Sequence, residues 1–260
     1  MKDIYLIPDM EHIEESLSLA KQYHAGFEYN DFFLPQVISD EAEIEKRIQF
    51  YQSLNRDRSR DTLHGAFLDV TIHSQDDKIR AISRERVRQS LSIAQRLGAR
   101  GVVFHANLIA GYYDEHYLNG WLASSVSFYK EMLAEFPELE IFVENMFETR
   151  PDDLKRLAEA MKEEERFGIC LDYAHAALFG EDPKQWVREL APYIKHMHVN
   201  DNDLLGDMHW QVGTGRIDWK EFSEEIKKND VQSSVLIEVR GNENWKNSAK
   251  YMMNQSVYPW

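Results

Sequence analysis

Histidine, aspartate and glutamate recur in this sequence near the ends of short apolar segments. Nine of them are candidates to bind a divalent metal ion: His64, His105, Glu144, Asp172, His175, His198, Asp207, His209 and Glu238. Imidazole and carboxylate groups together suit Zn, Mn, Fe or Co better than Mg or Ca, which prefer oxygen ligands alone. A buried carboxylate is also costly unless it is paired or bound to a metal. The residue types therefore predict a metal site.

The elements that must position these residues follow a regular pattern. Short apolar segments alternate with longer polar segments of helical period, which is typical of βα units around a parallel sheet. Candidate strands lie at residues 4–9, 25–31, 61–67, 100–107, 140–146, 167–173, 194–201 and 234–240. Helices are predicted at residues 76–98, 151–163, 218–229 and 245–255. The pattern predicts an α/β fold, a (β/α)8 TIM barrel forming a single domain over residues 1–260; a doubly wound sheet is the alternative.

Barrel geometry would bring the candidate ligands together. The active site of a βα barrel lies at the carboxyl ends of its strands. Six candidate strands carry a ligand type near that end: His64, His105, Glu144, Asp172, His198 and Glu238. Side chains alternate between the two faces of a strand, and residues such as Val103 and Phe142, two positions before two of these ligands, are core types. We therefore expect all six to point into the barrel mouth.

Three further candidates lie in loops. His175 is in the turn that leaves the sixth strand, and Asp207 and His209 share one face of an extended segment after the seventh. Gly213 and Gly215 would then allow a tight backbone path.

Each candidate also has a structural explanation when it is taken alone. A single histidine on a strand is more often a hydrogen-bonded core residue than a ligand, and a single glutamate can be a buried ion-pair partner. Only the convergence of many such residues favours a metal site. By the same reasoning we interpret Cys170 as barrel filling and expect His196 to lie one layer below His198 and to orient it. We assign the remaining histidines to surface or packing positions: His12, His24, His73 and His116.

Charge and composition restrict the partners. Lys and Arg total 30 against 45 Asp and Glu, a formal net charge of −15, which repels phosphate backbones and favours a small neutral or metal-chelating substrate over nucleic acid. A single cysteine excludes an internal disulfide. The segment MKDIYLIPDM is too short and too acidic for a signal peptide, and no apolar run approaches membrane length. A cytoplasmic protein without a membrane partner is expected.

From the third strand onward the motifs resemble those of a known group, the xylose-isomerase-like barrels, which include sugar (phosphate) isomerases and epimerases and endonuclease IV. The resemblance rests on HGAF (64–67), VFHAN (103–107), VEN (143–145), DYAH (172–175), HVND (198–201), DMHWQVGTG (207–215) and IEV (237–239). For the isomerases and epimerases it implies one Zn, Mn, Co or Mg ion on Glu144, Asp172, His198 and Glu238, with the two glutamates as acid/base pair. Of these metals, Mg fits the imidazole ligands least well. Barrels of this group are often dimers or tetramers, so the resemblance also allows a homo-oligomer.

The resemblance to endonuclease IV implies a different metal content. In that enzyme nine residues hold three metals, and all nine have counterparts here. They would form three groups: His64, His105 and Glu144; Glu144, Asp172, His198 and Glu238; and His175, Asp207 and His209. The metal content could thus be one to three ions per chain. The chain departs from the nuclease pattern at Phe67, where that family typically has Tyr, and in an acidic loop after the second strand.

The expected activity is therefore a metal-dependent sugar, sugar phosphate or polyol isomerase or epimerase. Glu144 and Glu238 would act from opposite sides of the substrate, one kept ionised by the metal and the other with a pKa raised by burial. His175 and Arg240 would hold substrate hydroxyl or carboxylate groups. Aromatic residues predicted to wall the site are Tyr112, Tyr113, Trp121 and Trp210. The alternatives are a phosphodiesterase acting on abasic DNA, a related dehydratase, and a sugar-binding barrel without catalysis.

Overall fold

The eight predicted strands close into a parallel barrel in the computed structural model, which describes residues 3–260. The strands are β1 (Ile4–Leu6), β2 (Gly26–Tyr29), β3 (Thr62–His64), β4 (Gly101–His105), β5 (Glu140–Glu144), β6 (Phe167–Asp172), β7 (Ile194–Val199) and β8 (Ser234–Ile237). Each strand pairs with its neighbour in sequence, and β8 closes on β1 with Leu236 opposite Tyr5. The (β/α)8 fold is confirmed. Every strand is shorter than predicted because the predicted segments included residues of the flanking loops.

Ten α-helices of the described residues pack around the barrel. They are α1 (Ile13–Tyr23), α2 (Pro35–Ile38), α3 (Glu41–Ser53), α4 (Asp77–Leu97), α5 (Glu115–Glu135), α6 (Asp152–Ala160), α7 (Tyr173–Phe179), α8 (Pro183–Leu190), α9 (Trp219–Lys228) and α10 (Asn242–Gln255). The four predicted helices correspond to α4, α6, α9 and α10. Across residues 3–260, none of the helices has both the length and the apolar character required to cross a membrane.

Local sequence signals account for several helix ends. The Asp218 carboxylate caps α9 by accepting hydrogen bonds from the backbone N–H groups of Lys220 and Glu221. Gly98 ends α4 in a left-handed conformation with φ of 72°, which glycine adopts without steric cost. The Asp218 cap fixes where the loop after β7 ends, and that loop carries part of the site.

The barrel interior is filled below its mouth. Val103, Phe142 and Cys170 form a buried apolar cluster separate from the larger core between strands and helices. Cys170 is fully buried within this cluster, as its interpretation as barrel filling requires. The packed layer closes the barrel from below, so ligands can reach the strand ends only from the carboxyl side.

A buried ion pair lies at the opposite, amino-terminal end of the barrel. Asp61 directly precedes β3, and its carboxylate accepts hydrogen bonds from the Phe27 backbone N–H at 2.8 Å and the Tyr29 hydroxyl at 2.6 Å. Arg56 donates to the same carboxylate, from Nη2 to Oδ1, at 2.8 Å. Removal of one buried partner leaves the other charge without compensation.

We expect Asp61→Asn to lower the free energy of unfolding by about 3 kcal/mol, because Arg56, whose side chain is only 12% exposed, loses its counter-charge. Denaturant titration measures this change. The control is Asp3→Asn, which removes the exposed Arg60–Asp3 pair and should cost less than about 1 kcal/mol. Equal stability losses in the two variants would show that the Asp61 pair does not hold the amino-terminal end together.

Candidate metal centre

The six predicted strand-end ligands lie at the carboxyl ends of their strands. All six are buried, with at most 7% of the residue exposed: His64, His105, Glu144, Asp172, His198 and Glu238. Strand register places them side by side, because His105 is opposite Glu144 and Asp172 is opposite His198. The two-residue alternation of a strand turns these side chains inward, and the closed barrel brings them to one mouth.

Glu144 lies at the centre of the cluster, and its two carboxylate oxygens face different neighbours. Oε1 is 3.1 Å from His198 Nδ1 and 3.7 Å from His175 Nδ1. Oε2 is 3.2 Å from His105 Nε2 and 3.5 Å from His64 Nε2. A carboxylate in this position can belong to two ligand groups at once.

The structure assembles four groups whose potential ligand atoms all lie within 4.8 Å of one another. One, in the packed layer below the mouth, is Cys170, His196 and His198. The other three lie at the mouth: His64, His105 and Glu144; Glu144, Asp172, His198 and Glu238; and His175, Asp207 and His209. These are the same three groups that the resemblance to endonuclease IV implies. Glu144 is common to the first and second groups.

The loop after β7 that carries Asp207 and His209 is folded around Asp201. The Asp201 carboxylate accepts hydrogen bonds from the Gly213 backbone N–H and from Trp219 Nε1, each at 2.9 Å. Gly213 has φ of 88°, and a Cβ at Gly215 would overlap the Asp201 carboxylate. The tight backbone path predicted for the two glycines is therefore present.

The third group is more open than the other two. Asp207 lies between two imidazoles, with Oδ2 3.4 Å from His175 Nε2 and Oδ1 3.2 Å from His209 Nε2. His209 has φ of 48°, a left-handed conformation that is uncommon outside glycine and that clusters at functional sites. Asp172 joins this group to the second, because it caps α7 by accepting a hydrogen bond from the His175 backbone N–H at 2.7 Å.

Hydrogen bonds to backbone carbonyls set the orientation of three histidine rings. The Nδ1 atom of His64 lies 3.1 Å from the carbonyl oxygen of the next residue, that of His175 lies 2.9 Å from Asn145 O, and that of His209 lies 3.1 Å from Glu238 O. Because a carbonyl only accepts, Nδ1 carries the proton in each ring and the neutral form presents an Nε2 lone pair. This orientation is typical of histidines that bind metal.

Several buried atoms of the cluster lack a hydrogen-bond partner. Glu144 Oε2, Glu238 Oε2 and His175 Nε2 are inaccessible to solvent and accept or donate no hydrogen bond within the described residues. Unsatisfied buried polar atoms are costly, and carboxylates most of all. The orphaned atoms and the mixed nitrogen and oxygen donors fit a divalent ion such as Zn, Mn or Co.

Proton positions follow from burial and the surrounding charges. Burial opposes ionisation of Glu144 and Glu238, yet the imidazoles outweigh it: His198 and His105 hold the pKa of Glu144 well below its usual range, and His209 and His198 lower that of Glu238. The expectation that burial raises the pKa of one of the glutamates is wrong for this reason. The raised carboxyl pKa belongs instead to Asp172, which burial brings to about 7.

A cavity of about 410 Å³ opens above the cluster. Its apolar lining comes from Ile7, Phe33, Phe67, Met146 and Val239, and its further polar lining includes Asn30 and Arg240. Arg240 is exposed, and its guanidinium has no hydrogen-bond or ion-pair partner within residues 3–260.

The predicted aromatic wall is wrong. Tyr112, Tyr113 and Trp210 do not line this cavity, and Trp121 is buried on α5, where its Nε1 donates to the Ala106 carbonyl. Trp121 belongs to the apolar face by which α5 packs on the barrel. Phe33 and Phe67 lie over the site instead, each about 5 Å, ring centre to ring centre, from His64 (5.5 and 5.2 Å).

Sequence reasoning missed one buried acid of the site. Glu28 in the middle of β2 is fully buried and points into the barrel beneath the cluster, within 3.1 Å of His198. A signal was present in the segment GFEY, where Glu28 stands between Phe27 and Tyr29 in a strand otherwise suited to the core. A charged residue inside such a strand needs a buried partner.

The family model of the xylose isomerase-like TIM barrel matches residues 19–255. The chain belongs to this family. The barrel and the resemblance drawn from the motifs are both confirmed by this match.

Solved structures similar to this xylose isomerase-like barrel share its fold at low sequence identity. The TTHB071 protein from Thermus thermophilus, soaked with ZnCl2, has a TM-score of 0.76 at 22% identity and covers 98% of both chains. A D-tagatose 3-epimerase-like protein has a TM-score of 0.74 at 20% identity, covering 98% of this chain and 97% of its own. Endonuclease IV from Thermus thermophilus has a TM-score of 0.64 at 16% identity, covering 98% and 99%. At these identities the likeness shows the fold, which both enzyme types share.

Metal uptake by this barrel should release protons. Burial favours the neutral ring of His209, but Glu238 and Asp207 outweigh it and raise its pKa to about 9. Asp172, with a pKa of about 7, also holds a proton at lower pH. Because a ligand must lose its proton to bind metal, affinity for Mn²⁺ should rise from about pH 6 to about pH 8.5.

Calorimetric titration in two buffers of different ionisation enthalpy counts the protons released. His12→Asn, at an exposed position outside the cluster, should leave the count unchanged. Metal affinity that is independent of pH, with no proton release, would contradict the assignment of these groups as ligands.

Proposed function

We propose that the protein is a divalent-metal-dependent sugar or polyol isomerase or epimerase in which Glu144 and Glu238 form the acid/base pair. The proposal rests on one observation: these two buried carboxylates both lie close to the same imidazole nitrogen. His198 Nδ1 is 3.1 Å from Glu144 Oε1 and 3.3 Å from Glu238 Oε2, and both glutamates line the cavity. Two carboxylates that share one ligand group but come from β5 and from the end of β8 can reach a bound substrate from different sides.

The second ligand group is the part of the cluster that the proposal requires. Glu144, Asp172, His198 and Glu238 would hold the ion, with Zn, Mn or Co better suited than Mg to a set that includes imidazole. A divalent ion bound there supplies Lewis-acid polarisation of substrate hydroxyl and carbonyl oxygens. The four side chains are buried, and burial strengthens such electrostatic effects by limiting the access of water.

The two glutamates are suited to move a proton at the carbon next to a substrate carbonyl. Both are ionised in the free site, because neighbouring imidazoles lower the pKa of each carboxyl. In an isomerisation, the carboxylate that removes a proton can return it to the adjacent carbon. In an epimerisation, the second carboxylate must first take up a proton from solvent and then deliver it to the opposite face, and the first carboxyl returns the proton that it removed to solvent.

Other cavity residues would bind the substrate. His175 and Arg240 both line the cavity, and Arg240 is the lining residue with a permanent positive charge among those described. A volume of about 410 Å³ is within the range of about 300–1,000 Å³ usual for small-molecule sites. The D-tagatose 3-epimerase-like protein among the similar structures supports a sugar as the substrate class.

The alternative is a phosphodiesterase acting on abasic DNA, and one observation favours it. All nine residues that endonuclease IV would use are gathered at this mouth in three groups. The net charge of −15 opposes binding to a polyanion, and Phe67 stands where the nuclease pattern typically has Tyr. We therefore prefer the sugar isomerase or epimerase to the phosphodiesterase. A related dehydratase would use the same ligand and acid/base groups and would be distinguished by its product.

Glu238→Gln should reduce proton exchange with solvent by at least about 100-fold, because the amide cannot accept the substrate proton. The measurement is incorporation of solvent deuterium next to the carbonyl, by NMR, over a panel of ketoses and aldoses with Mn²⁺-loaded protein. Glu243→Gln, at an exposed position on α10, serves as the matched control and should exchange like the wild type. Wild-type exchange by a metal-loaded Glu238→Gln variant would refute the acid/base assignment.

The nuclease alternative has its own test. Elemental analysis of protein purified without chelator gives the number of metals per chain, and a nicking assay on abasic duplex gives the activity. We expect no nicking, because a chain of net charge −15 should bind duplex DNA poorly. Three metals together with efficient nicking would replace the sugar proposal by the nuclease.

A further inference from the structure

We infer that Glu28 is the residue that orients His198, so that this histidine presents Nδ1 rather than Nε2 to the metal. Glu28 is a positioning residue and lies outside the three ligand groups. The inference rests on the metal-binding part of the proposed function, and it concerns a residue that the ligand pattern alone does not indicate.

The ring of His198 is turned the other way from its neighbours. His64, His175 and His209 each direct Nδ1 to a backbone carbonyl and leave Nε2 for the cluster. In His198, Nδ1 faces the cluster, between Glu144 and Glu238. The nitrogen left to carry the proton is therefore Nε2, and it needs an acceptor beneath the cluster.

Glu28 supplies that acceptor. His198 Nε2 lies 3.1 Å from Glu28 Oε1, and both side chains are fully buried. Neither atom completes a hydrogen bond within the described residues, because the N–H is not aligned on the oxygen. The Cys170 thiol also lies beside His198, but sulfur is a weak acceptor compared with a carboxylate. A small rotation of the ring completes a bond between two atoms that otherwise remain unsatisfied.

The other oxygen of Glu28, Oε2, already has two hydrogen-bond partners, which leaves Oε1 to accept from His198. The Thr62 hydroxyl donates to Oε2 at 2.7 Å, and His196 Nε2 lies 3.0 Å from the same oxygen. Thr62 is the register partner of Glu28 on the adjacent strand. Thr62 and His196 thus hold the carboxylate in place, with Oε1 directed to His198.

His196 completes the arrangement from below. Its Nε2 faces a carboxylate, which only accepts, so the neutral ring donates Nε2–H to Glu28. Its Nδ1, 2.7 Å from the Ser234 hydroxyl, then accepts from that hydroxyl, whose other possible acceptor is the Lys195 carbonyl at 3.2 Å. Within the described residues, only the two histidines form an ion pair with Glu28, and no lysine or arginine does. A fully buried carboxylate without a permanent cation is costly, and hydrogen bonds accepted from the N–H groups of these two rings offset that cost.

The hydrogen bond from His198 to Glu28 has a consequence for the affinity of the second ligand group for metal. A carboxylate that accepts the far N–H of a ligand histidine fixes the tautomer and makes the metal-facing nitrogen more basic. Loss of such a partner usually weakens metal binding by about 10- to 100-fold. Glu28 should therefore set the affinity of the second group without touching the ion.

The direct test is the protonation pattern of His198. Long-range ¹H–¹⁵N NMR of ¹⁵N-histidine-labelled, Zn²⁺-loaded protein distinguishes a metal-bound Nδ1 from a metal-bound Nε2. We expect His198, assigned by the signal lost in His198→Gln, to bind through Nδ1 and to keep its proton on Nε2. A His198 signal with Nε2 bound to zinc would overturn the inference without any variant of Glu28.

Variants give the energetic test. The affinity of the apo protein for Co²⁺ is measured by titration, followed by the visible absorption of the bound ion. The Glu28→Gln variant should bind Co²⁺ about 10- to 100-fold more weakly than the wild type. Thr62→Val, which removes one donor and keeps the carboxylate, should weaken binding less. The control is Glu225→Gln, a buried glutamate on α9 outside the cluster, which should bind like the wild type. Wild-type affinity in Glu28→Gln would overturn the inference.

The outcomes separate this inference from the proposed function. If Glu28→Gln loses metal affinity while no sugar exchanges deuterium, Glu28 keeps its assigned role and the isomerase or epimerase fails. If sugars exchange deuterium and Glu28→Gln binds Co²⁺ like the wild type, the positioning role fails alone.

Discussion

The burial of Glu144 among four imidazoles is the constraint on which the rest of the site depends. The carboxylate is 1% exposed, and its two oxygens face His198 and His175 on one side and His105 and His64 on the other. Such a group is stable only while its neighbours neutralise it, either as protonated histidines or through a bound cation. Binding of a metal at this cluster would therefore displace protons, and the pKa values of its members would be linked to that binding.

The barrel meets this constraint with strand ends and with the loops that follow them. The strands bring the inner ligands to one mouth through register alone, as His105 opposite Glu144 and Asp172 opposite His198 show. Strand register does not position Asp207 and His209, which lie in the loop after β7. Their positions depend on a turn formed by Asp201 and two glycines. The inner groups are consequently rigid and buried, whereas Asp207 and His209 of the third group remain partly exposed beside the cavity.

Features that follow from periodicity, the strands and their inward-facing ligands, could be predicted from the sequence. Features that depend on tertiary contacts could not. Apolar segments and the alternation of side chains were sufficient to place eight strands and six inward-facing ligands. Glu28 was missed because it lies within β2, whereas the candidate ligands were sought at the carboxyl ends of the strands. Trp121 was misplaced because an aromatic residue near a loop can pack on either side of a helix. The pKa expected to be raised in one of the two glutamates was misjudged, because burial was weighed there without the imidazoles that surround both.

The central claim is that one divalent ion belongs between Glu144, Asp172, His198 and Glu238. Anomalous scattering at the zinc absorption edge, from crystals of the protein grown with Zn²⁺, tests it most directly. The predicted result is a strong peak within ligand distance, about 2.0–2.3 Å, of all four side chains. Full occupancy only elsewhere, with these four residues closed on one another as hydrogen-bonded pairs, would contradict the claim.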